Sequence, residues 1–393
     1  MRHLAAIFGL FLSTVAADPG RAETRGAPIT FHCSLDARCP EIRIAGDPFA
    51  TLDGRPSPFR GYGDPSLEYD PATGTLWLSY TWLEALPSKG LFPWAPKVDF
   101  GASTHLARSD DGGRSFRFVT AVNRTPRTKH PDSGEDGRMM HEVSTLLREP
   151  EGRWQILWLT YFDHLGKGPE NRSDFHFVRA GARSPETLGP GAEPWLGGRA
   201  AAAGFRVRHR LSALPEIADC AALTEPGLFA KDDAIYLAAG CIVVEGGRRR
   251  PERERVVLLR QTAGGYRYLG QLLDYADAER LGAAHLEQAD LALSRSGEVI
   301  LVVTPIRPAS DPKHQGCVVY TVDDLARARV RRDEREHAVP RAVITADGNG
   351  LGPGLCTYDA KSETGVMMVI TSFDLRAKPV DIVFSLRATG VHP

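Results

Sequence analysis

The chain has 393 residues, of which 42% are apolar and 25% charged, with 48 Lys and Arg against 49 Asp and Glu. That composition excludes a disordered chain, and a formal charge of −1 leaves no surplus of cations for a nucleic acid, whose binding rests on clustered Lys and Arg. Abundant glycine (39) and proline (28) favour many short elements over a few long helices.

At the N-terminus, Arg2, an apolar run over residues 4–16 and the small residues Val15-Ala16-Ala17 read as a signal peptide, residues 1–17, with Ala22 as a later cleavage point. The run is shorter than the ~20 residues of a spanning helix, and nothing later is long and apolar enough, so no membrane span is expected. The mature chain is therefore expected to be periplasmic or secreted, and residues 28–393 to form a single domain and a monomer. In such compartments disulfides persist. The six cysteines are Cys33, Cys39, Cys220, Cys241, Cys317 and Cys356; Cys33 and Cys39 close a short loop, and Cys220 and Cys241 fall on neighbouring antiparallel strands, where a bond is predicted. Their spacing matches no zinc site, and no metal or other cofactor is expected.

A lone strand over residues 41–46 precedes a pattern that repeats. Each copy has a carboxylate or small residue, a short strand, a polar turn and a strongly apolar second strand. The copies begin at Asp64, Glu142, Glu225, Ala289 and Gly352, and their second strands are predicted over residues 75–82, 154–162, 234–243, 298–305 and 365–373. Third strands follow over 103–108, 175–180, 256–261, 317–322 and 381–386, and fourth strands over 116–122 and 266–272. Four-stranded antiparallel units recurring along a chain predict an all-β fold, a five-bladed β-propeller. The fifth unit ends short, so the N-terminal strand is expected to close the ring and cover its edge. Two stacked β-sandwiches are the alternative.

Two resemblances rest on these residues. Ser109-Asp110-Asp111-Gly112-Gly113-Arg114-Ser115-Phe116 resembles the Asp-box of sialidase-type propellers, which implies a structural turn. The three carboxylates at the starts of the first three units, in Gly63-Asp64-Pro65-Ser66, at Glu142 and in Thr224-Glu225-Pro226-Gly227, resemble the five-bladed propeller glycoside hydrolases of the arabinanase and β-xylosidase type; Glu142 departs from that pattern, where Asp is usual. The resemblance implies a carbohydrate-acting enzyme in which Glu225 is the acid, Asp64 the base and Glu142 the group that tunes the acid, as glycoside hydrolysis requires of paired carboxyl groups.

Other residues near the anchors are candidates for substrate binding. Arg60 and Arg138 each precede an anchor by four positions and suit the carboxylate of an acidic sugar. Tyr62, Trp82, Trp94 and Tyr161 are candidate sugar platforms, and His141 and His285 are placed to reach the axis, where a central ion is the less favoured reading. The alternative function is a non-catalytic propeller that binds a glycan or a protein partner through the same face.

Overall fold

The computed structural model describes residues 27–33, 38–52, 55–87, 98–164, 172–198, 201, 203–307, 314–347, 351–374 and 381–393. The expected signal peptide and Trp94 lie outside the described residues. Alternating and fully apolar runs separated by Gly, Asp and Ser turns give five successive antiparallel meanders. Meander 1 runs Phe59–Asp70, Thr75–Pro87, Val98–Ser109 and Ser115–Ala121. Meander 2 runs Asp136–Arg148, Trp154–His164, Arg172–Ala182 and Glu193–Gly197. Meander 3 runs Cys220–Lys231, Ala234–Glu245, Arg255–Thr262 and Gly265–Leu273. Meander 4 runs His285–Leu293, Val299–Ile306, Cys317–Asp324 and Pro340–Ala346. Meander 5 has Pro353–Thr357, Met367–Asp374 and Asp381–Ala388.

The meanders are arranged as a β-propeller. Their first strands touch in cyclic order, meander 5 returning to meander 1. A separate apolar core fills each gap between neighbours: Trp77, Leu106 and Trp158 between meanders 1 and 2, Leu157, Leu223 and Leu237 between 2 and 3, and Leu258, Leu291 and Leu301 between 3 and 4. Ile300, Val319 and Met368 fill the gap between 4 and 5, and Leu78, Val369 and Leu386 that between 5 and 1. Because every sheet is covered on both faces, second strands need no polar alternation; Val299–Ile306 is buried throughout. Each such aliphatic side chain contributes about 1.5–3 kcal/mol on burial.

Around the axis, side-chain acceptors tie each first strand to the next. Ser66 Oγ accepts from Leu146 N (3.2 Å), Thr145 Oγ1 from Leu228 N (2.9 Å), Asp290 Oδ2 from Tyr358 N (3.2 Å) and Thr357 Oγ1 from Leu67 N (3.1 Å). The equivalent position in meander 3 is Gly227, whose missing Cβ leaves room for the Ala289 carbonyl; a built Cβ would lie 1.9 Å from that oxygen.

The N-terminal segment is distributed over three sheets. Ile29–Cys33 pairs in parallel with Pro340–Ala346 of meander 4. Residues around Glu41 bond the last strand of meander 5, with Ile42 N to Leu386 O at 2.8 Å and Ala388 N to Pro40 O at 3.0 Å. Arg43–Ala45 then runs along Ser115–Ala121 of meander 1. The strand expected as the outer edge of the fifth unit thus divides its pairing, and the same edge of meander 5 is also met by Phe59, Arg60 and Gly61 at the start of meander 1. Disulfides join Cys33 to Cys39, Cys220 to Cys241 and Cys317 to Cys356, the second with its Cα atoms 5.4 Å apart. The Ser109–Phe116 turn is closed by Asp111, which accepts from Ser109 Oγ (2.7 Å) and Ser115 N (3.0 Å). No helix among the described residues is long and apolar enough to cross a membrane.

Candidate active site: carboxylates at the ring axis

All five first strands carry the same irregularity. The pairing register shifts near the middle of each, and one non-glycine residue there takes positive φ: Asp64 (46°), Val143 (49°), Glu225 (53°), Gln288 (53°) and Leu355 (52°). For a β-branched residue such as Val143 this conformation is an outlier, and a bulge repeated in every sheet re-aims the side chains beside it. Asp64 and Glu225 occupy the bulge itself. Glu142 and Glu287 stand one residue before it, so the structural equivalence of the repeats is shifted from the sequence anchors in meanders 2, 4 and 5.

The four carboxylates act on one another. Burial, then Asp64, Glu287 and Glu142, push Glu225 well above the usual carboxylate range, against the pull of Arg249. Burial and Glu142 raise Asp64 to about 7, opposed by the Thr81 hydroxyl, which also accepts from Val143 N at 2.9 Å. Glu142 is raised by burial, with Arg172 and the Tyr161 hydroxyl resisting. Glu287 goes the other way. Burial alone would raise it, but its 2.8 Å hydrogen bond with His285 Nε2, the imidazoles of His285 and His314 and the charge of Arg249 hold it at about 2. One cluster therefore contains a carboxyl pushed toward its protonated form and another held ionised, which is the pairing general acid–base chemistry needs.

The supporting cations are themselves fixed. Arg249 forms a two-pronged contact with Glu254 (2.5 and 2.8 Å), and Arg172 lies over the Tyr161 ring at 4.9 Å. In contrast, one oxygen of Glu225, Oε2, is buried with no hydrogen-bond partner. Buried polar atoms are normally satisfied; Tyr161 Oη, Arg172 Nε, His285 Nδ1 and His314 Nδ1 are left open in the same cluster, so it holds several polar atoms that a ligand could satisfy.

The other residues expected at the site have partners elsewhere. Arg60 is held by Asp381 of meander 5, with Nη2 3.1 Å from Oδ2, and by the Ser57 carbonyl. Arg138 is buried and engaged. Tyr62 donates to Ile44 O (3.2 Å) and packs edge-on to Tyr80. His141 Nδ1 is 2.9 Å from Thr160 Oγ1 and accepts from Trp158 Nε1, and burial lowers its pKa to about 3. Trp82 is buried against His105, whereas Tyr161 belongs to the cluster. Glu287, His314, Arg172 and Arg249 escaped the sequence reading; the one available signal was the alternation His285-x-Glu287, two positions ahead of the assumed anchor Ala289. Among the described residues, Asp219, Cys220 and Cys241 are close enough to hold a metal, but the disulfide consumes both sulfurs.

The fold and this cluster define a β-propeller with a group of mutually interacting carboxylates where its first strands meet. No protein-family model and no curated protein matches the chain. Among solved structures it is similar to the native arabinanase of Bacillus subtilis, at 12% identity over 83% of this chain and 92% of that one, with a TM-score of 0.44. It is also similar to the catalytic domain of the Coprinopsis cinerea GH62 α-L-arabinofuranosidase (10% identity, 89% and 96% covered, TM-score 0.45). A third is the GH43_1 enzyme of Xanthomonas citri in complex with xylotriose (13% identity, 84% and 87% covered, TM-score 0.46).

Proposed function

We propose that the chain is an exported glycoside hydrolase acting on a carbohydrate at the axial pocket of a five-bladed propeller. The observation that carries this reading is Glu225, a carboxyl held protonated, with an unpartnered oxygen, among three other acids contributed by three separate sheets. Glu225 donates its proton to the leaving oxygen. Asp64, in its ionised form, acts as base or nucleophile on the other face of the sugar, and Glu142 keeps the acid's pKa high. Glu287 stays ionised and supplies fixed negative charge to the oxocarbenium-like transition state.

The substrate is a neutral sugar. Arg60 and Arg138 are engaged within the protein, and a pocket of four acids repels a further carboxylate. Three disulfides, which use every cysteine, support an oxidising compartment. The test is a panel of neutral and uronic aryl glycosides and oligosaccharides with the wild type and Glu225→Gln. Loss of hydrolysis by about 10²–10⁴-fold with binding retained is the expected result. A wild type that binds sugars but hydrolyses none of the panel would instead mark a glycan-binding module.

A further inference from the structure

A cavity of about 420 Å³ opens between meanders 2 and 3. Its walls include Arg153, from the turn joining the first two strands of meander 2, and the turn that follows Arg255–Thr262 in meander 3. Glu142 lies at the middle of Asp136–Arg148 and Arg153 in the turn beyond the end of that strand, so the cavity is displaced along the sheet from the axial carboxylates.

Its chemistry is the reverse of the axial site. Trp195 forms its floor, 6% exposed, with its Nε1–H bonded to Tyr266 Oη at 2.8 Å. Over this fixed indole lie two guanidinium groups, Arg179 at 4.3 Å and Arg208 at 5.1 Å from the ring centroid. Stacking on an immobile aromatic ring orients a guanidinium while leaving its edge N–H groups available. One acid, Glu193, also lines the cavity and accepts from Arg208 Nη1 at 3.2 and 3.3 Å, so three guanidinium groups face a single carboxylate. Arg179 reaches Glu149 only at 3.9 Å, and Arg153, which is exposed, makes no ion pair among the described residues. At the neighbouring His209, burial and then Arg208 lower the pKa, Glu193 opposes them and Arg179 adds to the lowering.

The geometry points to an accessory oxyanion-binding site at this cavity, formed by Arg153, Arg179 and Arg208 around Trp195 and suited to the carboxylate, sulfate or phosphate group of a ligand. It separates the two charges of the molecule along the sheet. The axial pocket takes neutral sugar, and an acidic substituent is taken up away from it. The site does not depend on catalysis at the axis.

Titration calorimetry of the full-length protein with sodium glucuronate, inorganic phosphate and glucose tests it. Both anions are expected to bind here and added salt should weaken them, whereas any glucose binding belongs to the axial site and should not respond to loss of the arginines. Tighter binding of glucuronate identifies a carboxylate-bearing saccharide as the source, and tighter binding of phosphate a phosphorylated one. Arg153→Gln and Arg208→Gln together should weaken either anion by at least tenfold, with thermal midpoint and glucose response unchanged. Arg153→Gln alone, at an exposed and unpaired position, guards against misfolding of the double variant and should weaken binding several-fold. The site is rejected if neither anion binds the wild type or if both variants bind anions as the wild type does.

Discussion

Nδ1 of His105 lies 2.9 Å from Oδ2 of Asp47, and neither side chain is more than 1% exposed. The same oxygen accepts from Tyr80 Oη at 2.9 Å. A residue of the N-terminal segment is thereby gripped by the second and third strands of meander 1. Replacing Asp47 with Ala orphans both groups, at ~1–3 kcal/mol for each buried polar partner left unmade. Urea unfolding should show the lowered midpoint with an unchanged slope.

The pH profile of hydrolysis follows from the two perturbed acids. Activity is expected to fall on the acid side as Asp64, at about 7, takes up a proton, and on the alkaline side as Glu225 loses one through its strongly raised pKa. The optimum of kcat/KM should therefore lie above neutrality, and an acidic optimum would contradict the assignment. Stability carries the same signature. A carboxyl whose folded pKa is raised contributes stability below its unfolded value of about 4.3 and loses that contribution as pH rises through the folded one. Glu225→Gln removes this dependence, so its thermal midpoint should gain on the wild type at alkaline pH and not at acid pH.

The hydroxyl ties around the axis can be tested without changing shape. Thr145→Val keeps the side-chain volume but leaves the buried Leu228 N–H without its 2.9 Å acceptor. A loss of ~1–3 kcal/mol in chemical denaturation is expected. A neutral outcome would mean that neighbouring strands are held by their apolar cores alone.

The Cys220–Cys241 disulfide spans a sequence separation of 21 across two paired strands of meander 3. Closing a loop of that size in the unfolded chain is worth about 3 kcal/mol. A Cys220→Ser, Cys241→Ser double variant should unfold at correspondingly lower denaturant, under oxidising conditions where the wild type is unaffected.

Strands were legible in the sequence because runs such as Trp154–His164 and Val299–Ile306 are too apolar and too short for surface helices. Two of the three expected acids, Asp64 and Glu225, fall on the bulge. The assumed anchors at Glu142, Ala289 and Gly352 miss it by one to three positions relative to Val143, Gln288 and Leu355. A bulge adds a residue without altering the hydrophobic pattern, so residue type could not locate it. That offset hid Glu287. Arg60 and Tyr62 looked like site residues because of their nearness in sequence to Asp64, but Arg60 meets Asp381, brought to it by the return of meander 5 to meander 1, and Tyr62 meets Ile44 of the N-terminal strand laid on meander 1.

The N-terminal segment also sets the order in which the molecule can be made. Residues Ile29–Cys33 complete their ladder only against Pro340–Ala346, and Glu41 bridges Arg387. A chain emerging from the ribosome thus holds its opening residues without partners until nearly the whole polypeptide is synthesised. Contacts of such separation are slow to form, so the ladder between Ile29–Cys33 and Pro340–Ala346 is expected to close late in folding.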